Sequence, residues 1–172
     1  MQKGNKINTQ KIAVCALLTA IALIFSYIES MLPIPFPVPG MRLGFANIAI
    51  IAVLYLYGFK EALTVNVIRI ILASLLFGNI NSFFFSIAGG LASLGVMCLL
   101  KKSGMFSVIA VSGVGGVIHN IAQIFISIWV LGSPAIGYLM PIFIILGVVT
   151  GIICGIVAKI FLYHIKKTRG SE

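Results

Sequence analysis

Arg69 stands mid-way along the apolar run Ala62–Phe77, where a charge in hydrocarbon costs about 2.5–3.5 kcal/mol on insertion scales unless something satisfies it. Asn66 precedes it by one helical turn, so the two share a face. A guanidinium is a planar fork of donors suited to a carboxylate or phosphate. Three roles are open to it: snorkelling to the interface, a structural buried ion pair, or ligand binding. Snorkelling has far to go, because Arg69 lies roughly 10–12 Å from either end of its run at about 1.5 Å per residue.

Counter-ions are scarce. The chain has no Asp and three Glu, at Glu29, Glu61 and Glu172. Glu61 adjoins Lys60 and Glu172 ends the chain, so Glu29 is the carboxylate available to pair with Arg69 or with Arg42. Two arginines against one glutamate leave a positive excess that favours an anionic or strongly accepting ligand, unless Arg42 sits in the headgroup layer. A second polar group, His119, Asn120 and Gln123, forms one stripe by its three- and four-residue spacings. Each of these must find a hydrogen-bond partner in hydrocarbon, either within the protein or on a ligand. His119 can also take up a proton, which leaves proton coupling open.

Several chemistries are missing. There is no Gly-rich phosphate loop ending in Lys and Ser or Thr, and without Asp no carboxylate cluster for magnesium diphosphate. No Cys/His or Ser/His/Asp arrangement occurs. Cys15, Cys98 and Cys154 lack metal-site spacing and read as small packing residues. The sequence points away from an enzyme and calls for no cofactor.

The elements that must position these residues are membrane helices. Hydrophobic residues make up 60% of the chain and charged ones 9%, against roughly a quarter charged in soluble domains. Apolar segments at 12–32, 43–57, 62–77, 83–100, 106–131 and 138–163 predict an all-α membrane protein, a six-transmembrane-helix bundle occupying 1–172 as one domain. Ten of the twelve Lys and Arg lie at Lys3, Lys6, Lys11, Lys60, Lys101, Lys102, Lys159, Lys166, Lys167 and Arg169. They mark one side as cytoplasmic and place both termini there, in a multi-pass protein of the cell membrane. The net charge of +9 is therefore an orientation signal, and no basic patch with interleaved aromatics suggests nucleic acid. The lysines before the first apolar run resemble a secretory signal, but with no small-x-small cleavage site the run is read as a retained helix.

Pro33–Gly40, with alternating prolines, predicts a stiff external loop that is either a connector or a lid. Small residues recur every four positions at Ala16 and Ala20, at Gly89 and Ser93, and at Gly147, Gly151 and Gly155. Such stripes allow close helix packing or docking of another membrane protein. No repeat relates the two halves, which weakens a reading as an inverted-repeat transporter.

Three motifs carry a family resemblance: Arg42-Leu43-Gly44-Phe45-Ala46-Asn47-Ile48, Leu56-Tyr57-Gly58-Phe59-Lys60-Glu61-Ala62 and Leu75-Leu76-Phe77-Gly78. The chain looks like the substrate-binding membrane subunits, or S-components, of energy-coupling factor transporters. More closely, it resembles the Gx transporter family, often named heptaprenyl diphosphate synthase component I. The resemblance implies a six-helix bundle binding a vitamin-like nutrient on its outer side. It also implies as partners a further transmembrane subunit and two ATPase subunits, docked through small residues matched here by Ala16 and Ala20. The leading expectation is such an importer subunit, with Arg69, Asn66, His119, Asn120, Gln123, Glu29 and Arg42 around a small-molecule substrate that is anionic or amphipathic. The alternatives are a stand-alone proton-coupled transporter and an accessory membrane subunit of an isoprenoid or quinone complex. Membrane lipid is a further partner, and Phe83-Phe84-Phe85 suits either lipid or an amphipathic ligand.

Overall fold

A computed structural model describes residues 9–32 and 40–169. Lys3, Lys6, Glu172 and the Pro33–Pro39 part of the expected lid lie outside the described residues. Six α-helices follow in order: α1 Thr9–Met31, α2 Asn47–Leu56, α3 Phe59–Phe77, α4 Ile80–Ser103, α5 Val108–Leu131 and α6 Met140–Arg169, the last preceded by a 3-10 turn at Pro134–Leu139.

Local chemistry sets these limits. Asn79 and Ser107 cap α4 and α5, accepting from the Ser82 and Ala110 amides. Gly104 and Gly132 end the same helices in the left-handed conformation, and Pro134 opens the 3-10 turn where its missing N–H costs nothing. Among the described residues four spans, α1, α4, α5 and Pro134–Ile165, are long and apolar enough to cross a membrane.

The second helix departs from expectation. The apolar segment 43–57 predicts a membrane span, but α2 has only 10 residues and is about 15 Å long, half a hydrocarbon core. Every residue from Asn47 to Leu54 is buried. Uniform apolarity here marks a helix surrounded by protein, not one facing lipid. α2 packs against all five other helices, while the others contact in the order α1, α3, α4, α5, α6. Residues Met41 to Ala46 reach α2 as irregular backbone, also buried apart from the half-buried Phe45. Such backbone is tolerated at depth only where other groups satisfy it.

The remaining helices share one basic end. Lys11 of α1 bridges Glu61 in the first turn of α3 and lies over the Tyr57 ring at the end of α2. Lys101 of α4 donates to the Leu54 carbonyl at 2.6 Å and lies over Tyr55. That contact sets a positive charge at the negative end of the α2 dipole.

The glycine stripe of α6 packs internally. A Cβ on Gly116 would fall 2.3 Å from the Gly147 carbonyl oxygen, one on Gly151 2.6 Å from that of Ser112, and one on Gly155 2.8 Å from the Ile109 Cα. α5 and α6 thus meet backbone to backbone. Ala16 and Ala20 behave differently, remaining exposed on the outer face of α1.

Candidate functional site

Polar side chains gather in a layer between two apolar cores. One core, including Leu18, Val53, Leu94, Met97 and Val111, fills the basic half. The other, Met41, Phe85, Ile124 and Phe143, fills the opposite end. On α5, His119, Asn120 and Gln123 fall between Val111 of one core and Ile124 of the other.

Arg69 is 2% exposed, so it does not snorkel. Its Nε and Nη2 donate to the Asn66 Oδ1 at 3.1 and 3.0 Å. The only salt bridge among the described residues is Lys11–Glu61, so of the roles open to Glu29, a direct ion pair with Arg69 or with Arg42 does not form.

Glu29 instead holds the entry to α2. Its Oε1 accepts from the Gly44 amide at 2.6 Å and lies 3.5 Å from that of Phe45. A carboxylate on orphan amides at a helix start is favourable through both hydrogen bonding and the helix dipole. The sequence places Glu29 as a counter-ion because its actual partners are main-chain groups, which every residue carries. Gly44 has φ +90, and a Cβ there would fall 3.3 Å from His119. Glycine meets both demands.

Gln123 grips the same segment. Its Oε1 accepts from the Arg42 amide at 3.0 Å and its Nε2 donates to the Arg42 carbonyl at 2.8 Å, reproducing the paired bonds of a strand neighbour. Asn120 donates to the Phe143 carbonyl of α6 at 2.8 Å. These two members of the α5 stripe therefore position backbone. Arg42 is buried, which rules out the headgroup layer. Its Nε donates to the Ser82 hydroxyl at 3.1 Å and its Nη1 to the Ser26 carbonyl at 3.3 Å, tying α1 to α4.

His119 has no such duty. The ring is 1% exposed and lies between Gly44 and Gly89, where a Cβ on Gly89 would fall 2.9 Å from Nδ1. The Gly89 backbone is close enough to interact, yet neither ring nitrogen meets hydrogen-bond geometry. Asn66 Nδ2, Glu29 Oε2, Ser26 Oγ and Ser93 Oγ are likewise buried without partners.

Contacts link most of these residues into a ring. Arg69 holds Asn66, Asn66 abuts Gly90, the adjacent Gly89 abuts His119, His119 abuts Gly44, and Gly44 donates to Glu29. The ring is open between Arg69 and Glu29, which make no ion pair. Ser26 and Ser93 escape sequence reading, although Ser26 sits one turn before Glu29 on α1. Buried polar atoms in native proteins are overwhelmingly paired, so several orphans in one ring mark it as the candidate site. Among the described residues no group of His, Cys, Asp and Glu could hold a metal, and Cys15, Cys98 and Cys154 are free thiols.

Residues 18–161 match the family model described as heptaprenyl diphosphate synthase component I. No curated protein and no solved structure matches the chain.

Proposed function

The chain belongs to the heptaprenyl diphosphate synthase component I family, and on that premise we propose that it is the substrate-binding transmembrane subunit of an ATP-driven small-molecule importer. The observation that carries this reading is the ring of orphaned polar atoms on Asn66, Glu29, Ser26 and His119 beside two buried arginines. A bound ligand supplies the missing partners, and the positive excess draws an anionic or amphipathic one. The basic end faces the cytoplasm by the charge rule, so a ligand from outside approaches from the end of the Met41, Phe85, Ile124 and Phe143 core.

Energy comes from elsewhere, because the chain has no phosphate loop and no Asp. Ala16 and Ala20 lie exposed on α1, which suits docking of a transmembrane partner that carries two ATPases. The family description favours a second reading, an accessory membrane subunit of a prenyl synthase complex. Elongation of a prenyl chain by this protein alone is not part of either reading, since nothing in it would hold magnesium diphosphate.

Mass spectrometry of small molecules and proteins that co-purify in mild detergent separates the two. The importer reading expects a bound small molecule and ATPase subunits. A soluble synthase with no small molecule would replace it by the accessory reading. Arg69→Ala is expected to insert normally and to lose the bound molecule; retention at wild-type stoichiometry would remove Arg69 from the site.

A further inference from the structure

The charge inside the bundle identifies what the ring accepts. Glu29, Arg42 and Arg69 are the buried charged residues among those described, and Pro33–Pro39 contributes none by sequence. With His119 as the neutral imidazole, two cations face one anion. One positive charge is left without a counter-ion in a region where an uncompensated charge is costly. Neither guanidinium has an anionic hydrogen-bond partner, but Arg42 spreads its bonds over Ser82 and the Ser26 carbonyl while Arg69 has a single acceptor, the Asn66 Oδ1, and so keeps more donor capacity for a ligand.

The donors beside Arg69 have a fixed orientation. Because Asn66 Oδ1 accepts from the guanidinium, the amide cannot flip without losing two hydrogen bonds, and Nδ2 is presented as a donor with no partner. A guanidinium flanked by an amide donor suits two oxygens of one planar group. Toward the end opposite the lysines, about one turn beyond Gly89 on α4 and Asn120 on α5, Phe85 and Ile124 are fully buried in one cluster with Met41 and Phe143 and supply an apolar wall.

We propose that the ring takes an organic monoanion, a carboxylate on an apolar body, and rejects diphosphates. This rests on the reading of the ring as a ligand site. One negative charge brings the buried region to neutrality, whereas a diphosphate adds at least one more that nothing there offsets. A carboxylate oxygen accepts from Arg69 and from Asn66 Nδ2, and the body lies against the apolar wall.

The test uses the purified protein in nanodiscs with three probes of equal chain length: decanoate, decanamide and decyl diphosphate. Decanoate is expected to bind at least about tenfold more tightly than decanamide, and Arg69→Gln to abolish that difference. Glu29→Gln keeps an oxygen for the Gly44 amide but removes a negative charge. It is expected to shift preference about tenfold toward decyl diphosphate while the protein stays folded. Wild-type protein preferring decyl diphosphate in an Arg69-dependent manner would overturn the monoanion assignment and leave the ligand site standing. Glu29→Gln with unchanged preference would overturn the charge argument. Equal binding of decanoate and decanamide to wild type and Arg69→Gln alike would overturn the ligand site itself.

Discussion

Asn66 decides the electrical state of the site through one atom. Its Oδ1 is the only hydrogen-bond partner of Arg69 among the described residues, and an amide oxygen orients a guanidinium without neutralising it. Asn66→Asp would offer the same geometry with a full charge. The buried pair would be electrically complete, its desolvation offset by a charge-assisted bond, and the Nδ2 donor would be gone. The variant is therefore expected to melt within a few degrees of wild type and to bind anionic probes at least about tenfold more weakly, measured by thermal shift and titration. Asn66→Ala strips Arg69 of its partner and is expected to cost about 2–3 kcal/mol of stability. The contrast between the two separates electrostatic from structural roles at one position.

At the scale of elements, α2 depends on side chains that other helices supply. Glu29 of α1 accepts from the Gly44 amide in the segment leading into it, Lys101 of α4 binds its Leu54 carbonyl, and Gln123 of α5 pairs with the Arg42 peptide before it. Gln123→Glu removes the donor and sets a carboxylate against the Arg42 carbonyl. It is expected to lower stability by about 1–3 kcal/mol and to speed hydrogen exchange of the Met41–Ala46 amides. Gln123→Met, which deletes both bonds, is expected to do the same. The apolar segment around α2 was legible in sequence, and so was the polarity of His119, Asn120 and Gln123. The break at residues 41–46 was not, because Leu43, Phe45 and Ala46 continue the apolar pattern. Nor was the division of the α5 stripe: Asn120 and Gln123 bond to main-chain groups of Phe143 and Arg42, which leave no mark in the residue types. Only the shared face of Asn66 and Arg69 followed from spacing alone, since both lie on one helix.

Across the whole molecule, small-residue stripes of identical spacing do opposite work. Gly147, Gly151 and Gly155 face α5 at distances that exclude any Cβ, whereas Ala16 and Ala20 face outward from α1, which touches only α2 and α3 among the described helices. Spacing alone could not separate them, because four-residue periodicity defines a face but not what covers it. The separation predicts opposite responses to added bulk. Gly116→Ala would place a methyl 2.3 Å from the Gly147 carbonyl oxygen, so α5 and α6 must part along the seam. A loss of about 1–3 kcal/mol or more follows, read as a lower melting temperature and aggregation on purification. Ala16→Leu adds bulk at an exposed position beside the groove between α1 and α3 and is expected to leave melting and ligand retention unchanged. If α1 is where the energising partner docks, the same leucine breaks the close backbone approach that small residues allow, and the partner no longer co-purifies. A variant that kept its partner at full stoichiometry would move the docking surface off this face of α1.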